Sequence, residues 1–253
     1  MDIEIVMPTS DKSFWILPIV FYFFDKYLPK NYPITILGFK TPSFELPENY
    51  TFHSMGETQN IRNWSRDIYN YTKTLDAKYI MFILDDFLLL DHLRIDKLNE
   101  IIIMMDKNSN IGLCNIGMAP QYQPNQDLEL INEDDFFLFQ QNSKYYQINA
   151  QPSIYRLSHF NKYFNKSNDP WQLELNKQHQ QIPEKLICCS PLNKTSTLLY
   201  PEKHQTPIYK TQLSSGLSGK MFPGKINMEG AKPEDIENLI NMGLIEKDII
   251  IYK

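Results

Sequence analysis

"YIMFILDDFLLLD", residues 79–91, is the stretch on which the reading of this chain turns. The apolar run from Tyr79 to Leu84 has the length of one buried strand. It ends in two adjacent carboxylates, Asp85 and Asp86, and returns at once to Phe87 and three leucines. Burying an unpaired carboxylate costs several kcal/mol, or raises its pKa until the group is neutral. The pair therefore sits in a turn facing water, or something positive meets it there.

The flanking sequence gives that strand its setting. Ile3, Ile5 and Val6 form a short strand that stops at Met7-Pro8-Thr9-Ser10. Asp11 or Ser13 can cap a buried helix over residues 13–28. "PITILGF" (33–39) reads as a second strand and "TFHSM" (51–55) as a third. Ile61, Trp64, Ile68, Tyr71 and Leu75 recur at helical spacing over 61–75. After the strand at 79–84, the pattern predicts a helix over 92–107 capped by Asp91, then a buried strand at 111–117. Strands alternating with helices in this order predict an α/β fold. In open α/β sheets ligands bind outside the carboxyl ends of the strands. Both Thr9-Ser10 and Asp85-Asp86 fall at such ends.

The second half is less regular. A strand-like piece leads through Gln151-Pro152 into a helix near 157–164. "NDPWQLE" follows, with Asp169 or Pro170 suited to a helix start. Residues 185–190 and 195–200 are strand-like, and 211–224 carry several glycines. "KPEDIENLINMGLI" reads as an amphipathic C-terminal helix with acids in its first turn. No internal repeat is present, and no linker forces two independent domains.

Bulk properties narrow the classes. The 253 residues carry a net charge of −5, so no general basic field exists to hold nucleic acid. Hydrophobic residues make up 42%, enough for a real core, and aromatics reach 13%, enough to supply stacking surfaces as well. The three cysteines, Cys114, Cys188 and Cys189, include no C-x-x-C pair, which argues against a disulfide framework or a zinc site. Cys114 lies in an apolar stretch and reads as core. The start of the chain does not read as a signal peptide. The apolar segment 14–24 is too short to span a bilayer and contains Pro18. A soluble, cytoplasmic protein is the expectation, in a host cytoplasm if the source is viral.

The strand ending in Pro8-Thr9, followed by the strand ending "LDDF", resembles the nucleotide-sugar half of GT-A glycosyltransferases. "INAQPSIY" (148–155) and "NDPWQLE" (168–174) resemble segments found together in small GT-A-like proteins of bacteria and large viruses. The resemblance covers residues 1–180. It implies a Rossmann-like central mixed sheet flanked by helices. It also implies one domain over 1–253, with a nucleotide-sugar half (1–117) and an acceptor half (118–253). The implied activity is metal-dependent transfer of a sugar from a nucleotide-diphosphate sugar to a glycan or other hydroxyl acceptor. The family's acidic signature is Asp-x-Asp, whereas here only Asp85-Asp86 stands. Which carboxylate touches the metal and which the ribose stays open, as does a metal-independent enzyme.

The residues suit that chemistry. Mn²⁺ or Mg²⁺ takes hard carboxylate oxygens and needs only one or two when phosphates supply the rest. A solvated turn is the plainer reading of the same pair. If transfer inverts the anomeric centre, a base must take the acceptor's proton. Glu174, three residues after Trp171, is the candidate, and the spacing predicts that indole and carboxylate share a helix face. Asp169 is the second candidate. Thr9, Ser10 and Arg62 can contact the nucleotide, although a polar turn and an exposed helix residue explain them equally. Trp64 reads as core. Gln151 points into an acceptor cleft or simply pairs through its backbone. His204 is a candidate extra metal ligand. Lys220 can meet a diphosphate if its glycine-rich loop closes, although "GLSGK" lacks P-loop spacing. A nucleotidyltransferase is disfavoured because "MPTSDKSF" has no glycine after the first strand. A non-catalytic carbohydrate- or nucleotide-binding protein of the same fold is the rival from another class.

Overall fold

The computed structural model describes residues 3–116, 128–130, 136–139, 148–175, 185–189, 226–228, 231–247 and 250–251. His204, Lys220, the strand-like stretch 195–200 and the glycine-bearing stretch 211–224 lie outside them.

Strands β1 (Ile3–Pro8), β2 (Ile34–Gly38), β3 (Tyr50–Ser54) and β4 (Tyr79–Phe82) alternate with helices α1 (Leu17–Tyr27) and α2 (Trp64–Thr72). Helix α3 (Ile95–Lys107) leads to β5 (Ile111–Asn115), and β6 (Leu128–Leu130) and β7 (Phe136–Phe139) follow. Then come β8 (Ser153–Arg156), α4 (Leu157–Phe164), α5 (Pro170–Leu175) and β9 (Lys185–Cys189). β10 (Ile226–Asn227), α6 (Pro233–Asn241) and β11 (Ile250–Ile251) close the chain. Among the described residues, nine strands form one sheet in the order β3-β2-β1-β4-β8-β5-β9-β7-β6, and β10 pairs with β11. β1 runs parallel to both β2 and β4, while β8 is antiparallel to β4 and β5 on its two sides. The α/β class and the mixed, helix-flanked sheet are as the sequence implied.

Alternation along β1 shows how the two faces are filled. Ile5 and Met7 join the core under α1 and α3, while Val6 joins the other core with Ile80, Phe82 and Ile68 of α2. Helix α1 thus covers one face and α2 the opposite face, so the winding reverses between β1 and β4. That reversal creates a crevice at their carboxyl ends. Trp64 packs edge-on against Phe82 at 6.1 Å between ring centroids, as core, and Cys114 is fully buried. No helix among the described residues is long and apolar enough to cross a membrane.

Three boundaries differ from expectation for local reasons. The chain after β1 forms a 3-10 turn over Asp11–Ile16 before α1, and Ser10 at its N-cap makes no side-chain cap. Asp11 reaches instead to the end of β2, where its Oδ1 accepts from Lys40 N at 3.0 Å and Phe39 N at 3.3 Å. Asp91 does not cap α3, which begins only at Ile95; it accepts from His92 N at 3.0 Å and pairs with Lys232 Nζ at 3.3 Å. Likewise, the helix expected from residue 61 starts as a 3-10 turn over Ile61–Asn63.

Asp235, in the first turn of α6, is a fully buried carboxylate that the amphipathic pattern does not reveal. It accepts from Tyr22 Oη at 2.9 Å, Lys26 Nζ at 2.5 Å and Tyr27 Oη at 2.5 Å, fastening α6 to α1. Burial opposes its ionisation, but the bonds from Lys26, Tyr27 and Tyr22 outweigh burial and hold its pKa below the usual value. The carboxylate's contribution to stability is therefore present above the unfolded aspartate pKa and is lost as pH falls toward the depressed folded value. Asp235→Ala is expected to cost about 2–4 kcal/mol in urea unfolding at neutral pH, because Tyr22, Tyr27 and Lys26 lose their shared acceptor and Lys26 keeps only the longer contact to exposed Glu234 at 3.6 Å. The wild-type advantage over this variant should shrink on acidification, and a constant difference would contradict the assignment.

Candidate functional site

The crevice between β1 and β4 is closed by one hydrogen bond. Thr9 Oγ1 donates to Asp85 Oδ2 at 2.5 Å, joining the residue after β1 to the turn after β4. The backbone prepares this contact, since Thr9 N donates to Leu37 O at 2.8 Å and Ile83 N to Val6 O at 3.1 Å. A turn closed by Phe87 N donating to Leu84 O at 3.2 Å carries Asp85 and Asp86. The pair does sit in a turn, but the turn is half-buried at the head of the sheet.

Asp85 is held by neutral donors. Ser13 also donates to it, and Ser10 and Ser13 share a hydroxyl–hydroxyl bond at 3.0 Å. Burial, and secondly the charge of Asp86, push the Asp85 pKa up to about 7, while the bonds from Thr9, its own backbone and Ser13 pull it back. Two carboxylates that repel each other in a low-dielectric crevice favour a bound cation. Carboxylate oxygens are the donor type that Mn²⁺ or Mg²⁺ takes, and one or two from the protein would suffice where phosphates supply the rest. Among the described residues no group of three or more His, Cys, Asp or Glu could hold a metal alone.

Ser13 and Asp11 were not singled out from the sequence as site residues. Both belong to the 3-10 turn, whose tightness brings Ser13 back beside Ser10. Gly38 was missed too: a Cβ there would lie 2.8 Å from the Phe52 ring and 3.3 Å from Thr9 Cγ2. Only glycine leaves that corner open beside Thr9. Arg62 is exposed in the turn before α2, where its backbone N donates to Asn60 Oδ1 at 3.1 Å.

The same edge of the sheet receives the start of β8. Ser153 is in register with Phe82 on one side and Asn115 on the other, and Ile116 N donates to Pro152 O at 2.9 Å. The preceding turn is pinned at each amide. Asn149 N donates to Tyr155 Oη at 3.3 Å, Ala150 N to Glu174 Oε1 at 2.8 Å, and Gln151 N to Asn149 Oδ1 at 3.0 Å. Glu174 is only 7% exposed, and burial raises its pKa against the opposing bond from Ala150.

One expectation about α5 is corrected. Trp171 is 56% exposed and does not share the buried face with Glu174. The inward direction lies between Leu173 and Glu174, and at 3.6 residues per turn Trp171 points about 110° away from it. Asp169 caps the helix, as its place before Pro170 suggested. Its Oδ1 accepts from Gln172 N at 2.7 Å, and Gln172 Oε1 accepts from Asp169 N at 3.2 Å, a reciprocal capping box.

Comparison with known proteins gives a narrow result. No family model matches the chain, and no curated protein matches it. Among solved structures it is similar to S. aureus TarS (residues 1–349), at 12% identity and a TM-score of 0.42, over 74% of this chain and 58% of that one. The TarS complex with UDP-GlcNAc gives 10% identity and 0.43, over 74% and 56% of the two chains. The complex with UDP gives 13% and 0.43, over 74% and 57%. The chain thus spans a little over half the length of these TarS chains.

Proposed function

We propose that this chain is a glycosyltransferase of GT-A type that moves a sugar from a nucleotide-diphosphate sugar to an acceptor hydroxyl, with Mn²⁺ or Mg²⁺ at Asp85-Asp86. The observation that carries the reading is the Thr9–Asp85 bond across the point where the sheet's winding reverses, which sets a carboxylate pair where α/β sheets take ligands. Residues 1–117 form the donor half in this reading and 118–253 the acceptor half.

The chain's own groups take distinct tasks. Thr9, Ser10 and Ser13 orient Asp85 and offer hydroxyls to the nucleotide, and Arg62 stands on the same strand-end side as a cation for it. Asp85 and Asp86 would hold a divalent cation, which would supply Lewis-acid stabilisation of the leaving diphosphate. Glu174 takes the acceptor's proton, since a carboxyl whose pKa burial has raised is a better match to neutral pH than a solvated one. With a base on the acceptor, transfer inverts the anomeric centre.

The direct test is nucleoside diphosphate release from a panel of UDP-, GDP- and TDP-sugars, with and without Mn²⁺. One donor class should be turned over, and only with the cation. No release from any donor, with binding retained, would instead support the non-catalytic binding protein.

A further inference from the structure

Exposed large apolar side chains are concentrated in one region. Among the described residues six such side chains reach solvent, and three of them, Ile61 (51% exposed), Trp171 (56%) and Leu175 (46%), flank the contact between α2 and α5. That contact is fixed at Ser65, whose N donates to Asn168 O at 3.1 Å and whose Oγ donates to Lys166 O at 2.5 Å. Ile61 lies one turn before Ser65, and Trp171 lies three residues after Asn168. Trp171 and Leu175 are four residues apart on α5 and share its outward stripe, while Leu173 and Glu174 are buried. Single exposed apolar residues are ordinary, but a group of them in one place marks a surface that is covered in use.

The charges on this surface say what covers it. Arg66 follows Ser65 directly, Arg62 lies one turn before Arg66, and Lys166 is in the tied turn; all three are exposed. The nearby acids are set back: Asp67 and Asp169 are half-buried, and Asp169 is held in its capping box. The chain as a whole carries a net charge of −5, so an anionic surface repels most of it and admits this cation-bearing face. Tryptophan and leucine beside arginine and lysine are the side chains that settle at a membrane–water boundary, the apolar groups below the headgroups and the cations among them. We propose that this face docks the protein on an anionic lipid membrane. Trp171 and Leu175 enter the headgroup layer, and Arg66 and Lys166 meet lipid phosphates or carboxylates. Because α5 also carries Glu174, which bonds Ala150 at the head of the sheet, docking sets that end of the sheet beside the bilayer surface. The inference goes beyond the glycosyl-transfer reading and does not rest on it.

The test is flotation of the full chain with vesicles of phosphatidylcholine, alone or with roughly a third phosphatidylserine. Binding is expected to the anionic vesicles only, and raising salt to about 1 M, where charges are screened within about 3 Å, should weaken it. Arg66→Gln and Lys166→Gln should each lower the partition coefficient about fivefold, and Trp171→Ala at least about tenfold. These side chains are exposed, so the variants should melt near wild type. Lys107→Gln, on α3 at the opposite face of the sheet, should bind like wild type. Lipids with brominated acyl chains should quench the tryptophan emission of bound wild type, and Trp171→Phe should keep binding while losing most of that quenching. No binding to either vesicle, or binding indifferent to Arg66, Lys166 and Trp171, overturns the proposal. So does a concentration-dependent dimer that Trp171→Ala abolishes, with no vesicle binding, since the face then joins two copies of the chain.

Discussion

Asp86→Asn is expected to abolish cation-dependent binding of the nucleotide sugar while leaving the fold intact. Asp86 lies in a half-buried turn, so an amide of the same shape replaces it without a cavity. The substitution removes one of two repelling charges, which relieves Asp85, so Tm should hold or rise slightly. Partners of metal ligands are worth about 10- to 100-fold in metal affinity, so loss of a direct ligand should exceed about 100-fold. Asp85→Asn should weaken the complex too, and the larger of the two losses identifies the carboxylate that touches the cation. Calorimetric titration of both variants with Mn²⁺ and the nucleotide sugar reads this directly. Unchanged Mn²⁺-dependent affinity in both would remove the metal from the account.

Glu174→Gln is expected to lower kcat by about 10²- to 10⁴-fold with donor affinity near wild type. Glutamine keeps the oxygen that accepts from Ala150 N, so the turn that carries Gln151 stays in place. What it loses is the ability to take a proton. Because burial lifts Glu174 above its ordinary value of 4.5, the acid limb of kcat/KM should lie above that value in wild type and vanish in the variant. Full activity in the glutamine variant would leave Glu174 only its bond to Ala150. A product that retains the donor's anomeric configuration would equally remove the base.

The parts of this protein that could be read from sequence are those set by local pattern. Ile5, Val6 and Met7 alternate between two faces, and Trp64 and Ile68 mark the buried side of a helix, so the sheet and its helices followed from periodicity. Asp85 and Asp86 stood out because an oily strand has no reason to end in two charges. The misreadings concern polar side chains whose partners lie far along the chain. Asp11 looks like a helix cap, but its acceptors' donors come from residues 39 and 40. Asp91 looks like another cap, yet it pairs with Lys232. Asp235 looks like a first-turn acid on a solvated face, yet it is buried under Tyr22, Lys26 and Tyr27. Trp171 and Glu174 failed in a different way. Spacing gives their angular separation, but only packing says which direction is inward, and that direction favours Leu173 and Glu174.

Cation-dependent donor binding at Asp85-Asp86 is read most directly by thermal unfolding of the wild-type chain with a nucleotide-diphosphate sugar, with Mn²⁺, and with both. A ligand that binds only the folded state raises stability by mass action, about 2.7 kcal/mol at a hundred times its Kd. One nucleotide-sugar class should raise Tm only when Mn²⁺ or Mg²⁺ is present, and Asp86→Asn should erase the shift. A chain that no nucleotide sugar stabilises, or one stabilised equally after chelation of all divalent metal, would contradict the assignment of Asp85 and Asp86.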